Sequence, residues 1–249
     1  MRTHGNKDFW LAAMRADGPA FRAAVAEAEP DAPVPSCPEW TVAQLTGHLA
    51  GLYGWVTDLV RRGVAGPPEV APPGAPAASA EEFDERFAAL VGVLDSLDPE
   101  LPAWNWAPQS KKVSFWHRRM AHETAVHRWD AQMATTLPEP LEAKLAADGV
   151  SEILDSWLPA GKGTCPADRR GMVALSATDL QQTWYVRLRP GGGIALLDTD
   201  TILDDDEHHE RAVAQGTASD LQLALMNRVG FDVLILSGEE RLFDCLRVG

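Results

Sequence analysis

The chain has 249 residues, 45% of them hydrophobic and 23% charged, with nine tryptophans and a formal net charge of -14. That length suits one large domain or two modest ones with a real core, and the acidity argues against a protein that grips nucleic-acid phosphates through clustered Lys and Arg. Early charge at Arg2, Lys7 and Asp8, and the lack of any apolar run near about 18 residues, argue against a secretory leader or a membrane span and make the cytoplasm the expected location.

In chain order, residues 8–28 set Phe9, Leu11, Met14, Phe21 and Val25 among charged positions, which predicts a first helix with an irregularity at Gly18 and Pro19. A Pro-rich connector follows and ends at Thr41, where Gln44 three residues later completes a capping-box pattern. The second helix, about residues 42–62, spaces Leu45, His48, Leu52, Trp55 and Leu59 by three and four, so His48 sits on its apolar stripe. A lone His on such a stripe is ordinarily a hydrogen-bonded core residue. Residues 63–80 are dense in Pro, Gly and Ala and read as a flexible connection. Ser79 precedes a third helix over about 80–97, with Phe83, Phe87, Leu90, Val91 and Leu94 on one face, and a turn-rich stretch with Trp104 and Trp106 leads into a fourth over about 113–134. Four helices with one apolar face each pack as a bundle, expected over residues 1–137.

From residue 138 the character changes. A helix over 142–157 precedes alternating runs that predict strands at 171–177, 183–189 and 194–197, with Gly191, Gly192 and Gly193 as a turn and the acidic run 199–207 as a solvated loop. A strand at 211–215, a helix at 219–228, a strand at 231–236 and a short last helix at 239–246 complete an α+β domain over residues 138–249. The fold class is therefore α+β, a four-helix bundle followed by a smaller mixed domain. Cys37, Cys165 and Cys245 are odd in number, far apart and without a C-x-x-C pair, so they suggest neither a disulfide framework nor a zinc ribbon and are assigned no chemistry.

The fourth helix carries the chemistry. Its run HETAVHRWD, residues 122–130, resembles the H-E-x-x-H zinc-protease motif but spaces its two His by five. Five residues turn a helix by about 500°, so His122 and His127 diverge by roughly 140° and do not chelate together. Glu123 and His127, four apart, lie only about 40° apart around the axis and one turn apart along it, and can share one metal ion. An inward His48 from the second helix completes a three-ligand set, the arrangement of a catalytic zinc with an open position. The competing use of Glu123 is an ion pair with Arg119 or Arg128. Asp130, three residues past His127, either orients a ligand imidazole or pairs with a basic neighbour.

Two motifs resemble a known family. The run PSCPEWTVAQLTGHL, residues 35–49, is similar to the start of the second helix in mycothiol-dependent maleylpyruvate isomerase-type proteins, part of the DinB-like metal-binding bundle superfamily, and HETAVHRWD is similar to their fourth-helix signature. The resemblance implies a DinB-like four-helix bundle with metal ligands His48, Glu123 and His127. It extends more loosely to AQGTASDLQLALMNR, residues 214–228, which is similar to part of the family's sterol-carrier-like C-terminal domain and makes Arg228 a candidate catalytic residue. The implied cofactors are zinc, or another divalent metal, and mycothiol, the low-molecular-weight thiol of actinobacteria, as cosubstrate. The implied activity is attack of the thiol on a small electrophile, as an S-transferase or thiol-dependent isomerase, by a monomer or small homo-oligomer. Two other uses of the bundle fit the same residues: a metal- or small-molecule-binding sensor or carrier without turnover, and a metal-dependent hydrolase that uses water.

Overall fold

In the computed structural model of the chain, the described residues are 5–135, 137–163, 165–166, 169–189, 193–197 and 210–248. They fall into two units, Met1–Leu141 and Glu142–Gly249. The class is α+β: the first unit is mainly helical and the second is built on a sheet.

The first unit holds α1 (Lys7–Glu27), a hairpin of β1 (Pro33–Val34) and β2 (Cys37–Thr41), α2 (Val42–Arg61), α3 (Ala80–Ser96) and α4 (Val113–Met133). Caps fix where three of the helices begin. Phe9 N donates to Asn6 Oδ1 at 3.0 Å and Glu82 N to Ser79 Oγ at 3.2 Å. At α2 the capping box is complete, with Gln44 N donating to Thr41 Oγ1 at 3.3 Å and Thr41 N to Gln44 Oε1 at 2.9 Å. The helix α1 runs unbroken through Pro19. Gly18 there faces Phe87 of α3, whose ring occupies the place a side chain would take.

The helix α4 packs against α1 and α2 and is buried on nearly every side, although it carries Arg118, Arg119, His122, His127, Arg128 and Asp130. Charges taken out of water must be paired, and they are. Arg128 donates through Nε to Asp17 Oδ1 of α1 at 3.0 Å and through its terminal nitrogens to the carbonyls of Glu139 and Pro140. The interior of this bundle is thus polar around α4, which is where a site can be built.

Two readings of this unit change. The Pro-rich segment before α2 is not a bare connector but the β1–β2 hairpin, whose strands of two and five residues are too short to produce a recognisable alternation. Residues 63–80 are strapped along α2 rather than loose: Ala78 N donates to Ala43 O at 3.0 Å, Trp55 Nε1 to Val70 O at 2.9 Å, and the bare backbone of Gly47 lets Pro76 O approach.

In the second unit α5 (Ala143–Glu152) continues as a π-helical turn, Ile153–Trp157, ahead of β3 (Gly171–Ala177), β4 (Gln182–Leu188), β5 (Ile194–Leu197), β6 (Arg211–Gly216), α6 (Ala218–Leu225) and β7 (Ile235–Gly238). The sheet order is β5-β4-β3-β6-β7, with β3 and β6 parallel and the other pairs antiparallel. Alternation sorts its faces: Val173, Leu175, Trp184, Val186, Ala212 and Ala214 are buried, and Trp184 Nε1 donates to Ser151 Oγ of α5 at 2.9 Å.

The expected strand at 231–236 is corrected. Phe231 is buried against Phe243, ring centroids 5.1 Å apart, and anchors a 3-10 turn over Phe231–Val233, so pairing with β6 begins only at Ile235. The last helix is a 3-10 helix, Glu240–Leu246. It brings Cys245 to Cys165, and the two form a disulfide across 80 residues, a pairing that their separation in sequence conceals; Cys37 is buried and outside that bond. The expected glycine turn, at residues 191 and 192, and the acidic loop at 199–207 lie outside the described residues. No helix among the described residues is long and apolar enough to cross a membrane.

Candidate metal centre

The packing of α2 against α4 brings three expected side chains together. His48 Nε2 lies 3.1 Å from Glu123 Oε1, and His127 Nε2 lies 3.3 Å from the same oxygen. All three ligand atoms are within 4.8 Å of one another. The Glu123 and His127 side chains are 14% and 6% exposed, and His48, at 21%, is the most open of the three. Among the described residues, His122 is not part of this cluster.

Glu123 makes the expected ion pair with Arg119 and also faces both imidazoles. Its Oε2 accepts from Arg119 Nη2 at 2.6 Å, while Oε1 is left to the imidazoles. Burial alone would raise the Glu123 carboxyl, but Arg119 and the hydrogen bonds of His127 and His48 outweigh it and hold the carboxyl well below its usual range. At His127 burial opposes a positive charge, yet hydrogen bonds to Asp130 and Glu123 raise its pKa.

The donor set is two imidazole nitrogens and one carboxylate oxygen, buried at the base and partly open at His48. Three such ligands fit a divalent metal of the zinc type with an exchangeable position. A carboxylate held ionised beside two imidazoles is the protonation state that metal binding requires of Glu123.

Residues 11–132 match the model of the family described as mycothiol maleylpyruvate isomerase N-terminal domain. The match spans most of the first unit, which is similar to this family. Two solved structures share the fold at 13% identity, covering 96% of this chain and 97% of theirs. One is a crystal structure of the mycothiol-dependent maleylpyruvate isomerase, TM-score 0.62, and the other a histidine-to-alanine mutant of that isomerase, TM-score 0.64. No curated protein matches the chain.

In this first unit, the surroundings of the cluster come largely from the hairpin. Asp130, fully buried, accepts at Oδ2 from His127 Nδ1 at 2.8 Å and at Oδ1 from Ser36 Oγ at 2.6 Å, with Cys37 Sγ 3.7 Å from Oδ2. Contact with the imidazole, one of the roles open to Asp130 in the sequence, is present. Trp40 of β2 packs on His48 with ring centroids 4.7 Å apart and stands 6.1 Å from His127. Ser36 and Trp40 were not legible as site residues, because nothing in a Pro-rich run marks which side chains a short hairpin turns inward. Arg228 lies in the second unit just past α6, where its Nη1 donates to Met226 O at 3.0 Å.

Proposed function

We propose that the protein is a zinc-dependent enzyme that activates a low-molecular-weight thiol, mycothiol, for attack on an electrophilic small molecule. The observation that carries the reading is the convergence of His48 Nε2, Glu123 Oε1 and His127 Nε2 within 4.8 Å. The family match supports the choice of thiol, since that family is described as mycothiol maleylpyruvate isomerase and both structural neighbours are mycothiol-dependent isomerases.

His48, Glu123 and His127 would hold the metal. Bound there by two neutral imidazoles and one carboxylate, zinc keeps a net positive charge and favours the thiolate form of a thiol at neutral pH. The chain's own residues set the conditions for this. Arg119 occupies Oε2 and so directs Glu123 to offer Oε1. The Trp40 ring packs on the His48 ring, tilted by 35° with centroids 4.7 Å apart, and so covers one face of that imidazole. Attack of the thiolate on a conjugated carbon–carbon double bond would push its π pair onto the adjoining carbonyl; uptake of a proton from water then gives the S-conjugate, whereas rotation about the new single bond and return of the pair expels the thiolate and gives the isomer. The family resemblance adds Arg228 as a catalytic residue of the second unit, a separate proposal tested by Arg228→Ala.

Metal analysis followed by a thiol-consumption screen with mycothiol against small electrophiles tests the reading. It expects about one zinc per chain and thiol loss that stops in a metal-free preparation. Full activity without metal overturns it. Turnover that ignores thiol identifies a hydrolase, and ligand binding with no turnover of any electrophile identifies a sensor or carrier.

A further inference from the structure

We infer that Asp130 and Ser36 are positioning residues that fix the ring orientation and tautomer of His127, so that its Nε2 faces Glu123 Oε1 as a lone pair. The inference rests on the metal-centre reading for its consequence, though the tautomer itself does not depend on it.

An imidazole has two nitrogens, and which one carries the proton is set by the partner of the other. His127 Nδ1 is 2.8 Å from Asp130 Oδ2. Asp130 is fully buried and receives the Ser36 hydroxyl at 2.6 Å on its other oxygen, with the Cys37 thiol beside the first. Both nitrogens of His127 face a carboxylate, but the Nδ1–Asp130 contact, at 2.8 Å against 3.3 Å for Nε2–Glu123, is the hydrogen bond of good length, so a neutral His127 keeps its one proton on Nδ1 and Nε2 is bare. That bare nitrogen lies 3.3 Å from Glu123 Oε1, which is itself 3.1 Å from His48 Nε2. A bare Nε2 beside a carboxylate oxygen is a pair of acceptors that a cation or a proton between them stabilises.

The two anchors come from different elements, which makes the device more than a local helix contact. Asp130 is three residues beyond His127 on α4, whereas Ser36 sits in the turn between β1 and β2. The hairpin therefore buttresses the carboxylate from outside the helix, and the same hairpin sets Trp40 on the His48 ring. Outer partners of this kind raise the basicity of a ligand imidazole and remove its rotational freedom, and their loss typically costs about 10–100-fold in metal affinity.

The test has two readouts. Imidazole nitrogen-15 shifts of metal-free protein, recorded at a pH where His127 is neutral, are expected to show the Nδ1–H tautomer in the wild type and a mixture in Asp130→Ala. Zinc affinity from chelator competition is expected to fall about 10–100-fold in Asp130→Ala and in the same direction, by less, in Ser36→Ala. Circular dichroism confirms that both variants fold, and the wild-type tautomer needs no variant. An Nε2–H tautomer in the wild type, or zinc affinity unchanged in a folded Asp130→Ala protein, overturns the inference. A wild-type protein that binds no zinc overturns the metal-centre reading instead, and the tautomer still decides this one.

Discussion

Arg119 and Glu123 stand one turn apart on α4 with Nη2 2.6 Å from Oε2, and the second carboxylate oxygen is turned to both His48 and His127. The side chains are 4% and 14% exposed, so this is an interior pair whose partners have lost most of their water. Removing one member leaves the other charge buried and uncompensated, which costs about 3–5 kcal/mol. Arg119→Met is therefore expected to lower the unfolding free energy by about that amount in urea titrations at neutral pH. In a Glu123→Gln background the same substitution should cost much less, because the charge it orphaned is gone; equal costs in both backgrounds would show that Arg119 acts through other contacts.

The same cluster predicts a pH profile for metal-free protein. The Glu123 carboxyl, which burial would raise, is held well below its usual range by Arg119 and the imidazoles. Its contribution is complete above the unfolded carboxylate value and lost as pH falls through the lowered folded value. His127, which burial would lower, is raised by Asp130 and Glu123. Its contribution is complete below the unfolded imidazole value and lost as pH rises through the raised folded value. Both are fully present only between about pH 4.3 and 6.5, so urea midpoints should peak there and decline on the alkaline side. In His127→Gln the alkaline decline should flatten; persistence of the full decline would assign it to other groups. Zinc affinity should move the opposite way, rising with pH as His127 gives up the proton that competes with the metal.

How much of this was legible depends on whether the information was local. Glu123 and His127 could be paired because four residues of helix fix their relative direction, and the same angular argument separated His122. Thr41 and Gln44 announce the start of α2, and that start sets the phase that turns His48 inward. Ser36 and Trp40 were hidden because their direction is set by a hairpin of seven strand residues with no alternation to read. Phe231 favours a strand by propensity, but its burial against Phe243 turns the chain instead. Asp130 had two kinds of partner open to it, and what sequence could not show is that Ser36 and Cys37 of the hairpin join His127 on its carboxylate.

The strap over α2 makes Gly47 a position that tolerates no side chain. A Cβ there would collide with the carbonyl of Pro76 and crowd the backbone of Ala78, whose N–H is bonded to Ala43 O. Backbone cannot rotate aside as a side-chain tip can, so the strap must shift as a whole. Gly47→Val is expected to destabilise by about 1–3 kcal/mol, read as a lower urea midpoint. Gly74, which has nothing near its Cβ position, serves as the control and should accept Ala without loss.

The second unit carries its own test. Cys165 and Cys245 close a span of 80 residues, so their bond removes conformations from the unfolded chain of that unit, an effect typically worth about 2–4 kcal/mol. Cys165→Ser and Cys245→Ser should each lower its thermal midpoint, and reductant should lower the wild type to a similar level while leaving the double variant where it is. Because His48, Glu123 and His127 all belong to the first unit, zinc content should be unaffected by either substitution. A loss of zinc on reduction would instead mean that the bond acts beyond the unit that contains it, and a melting curve indifferent to reductant would mean that the packing of the last 3-10 helix, with Leu242, Phe243 and Leu246 buried, holds the chain end without it.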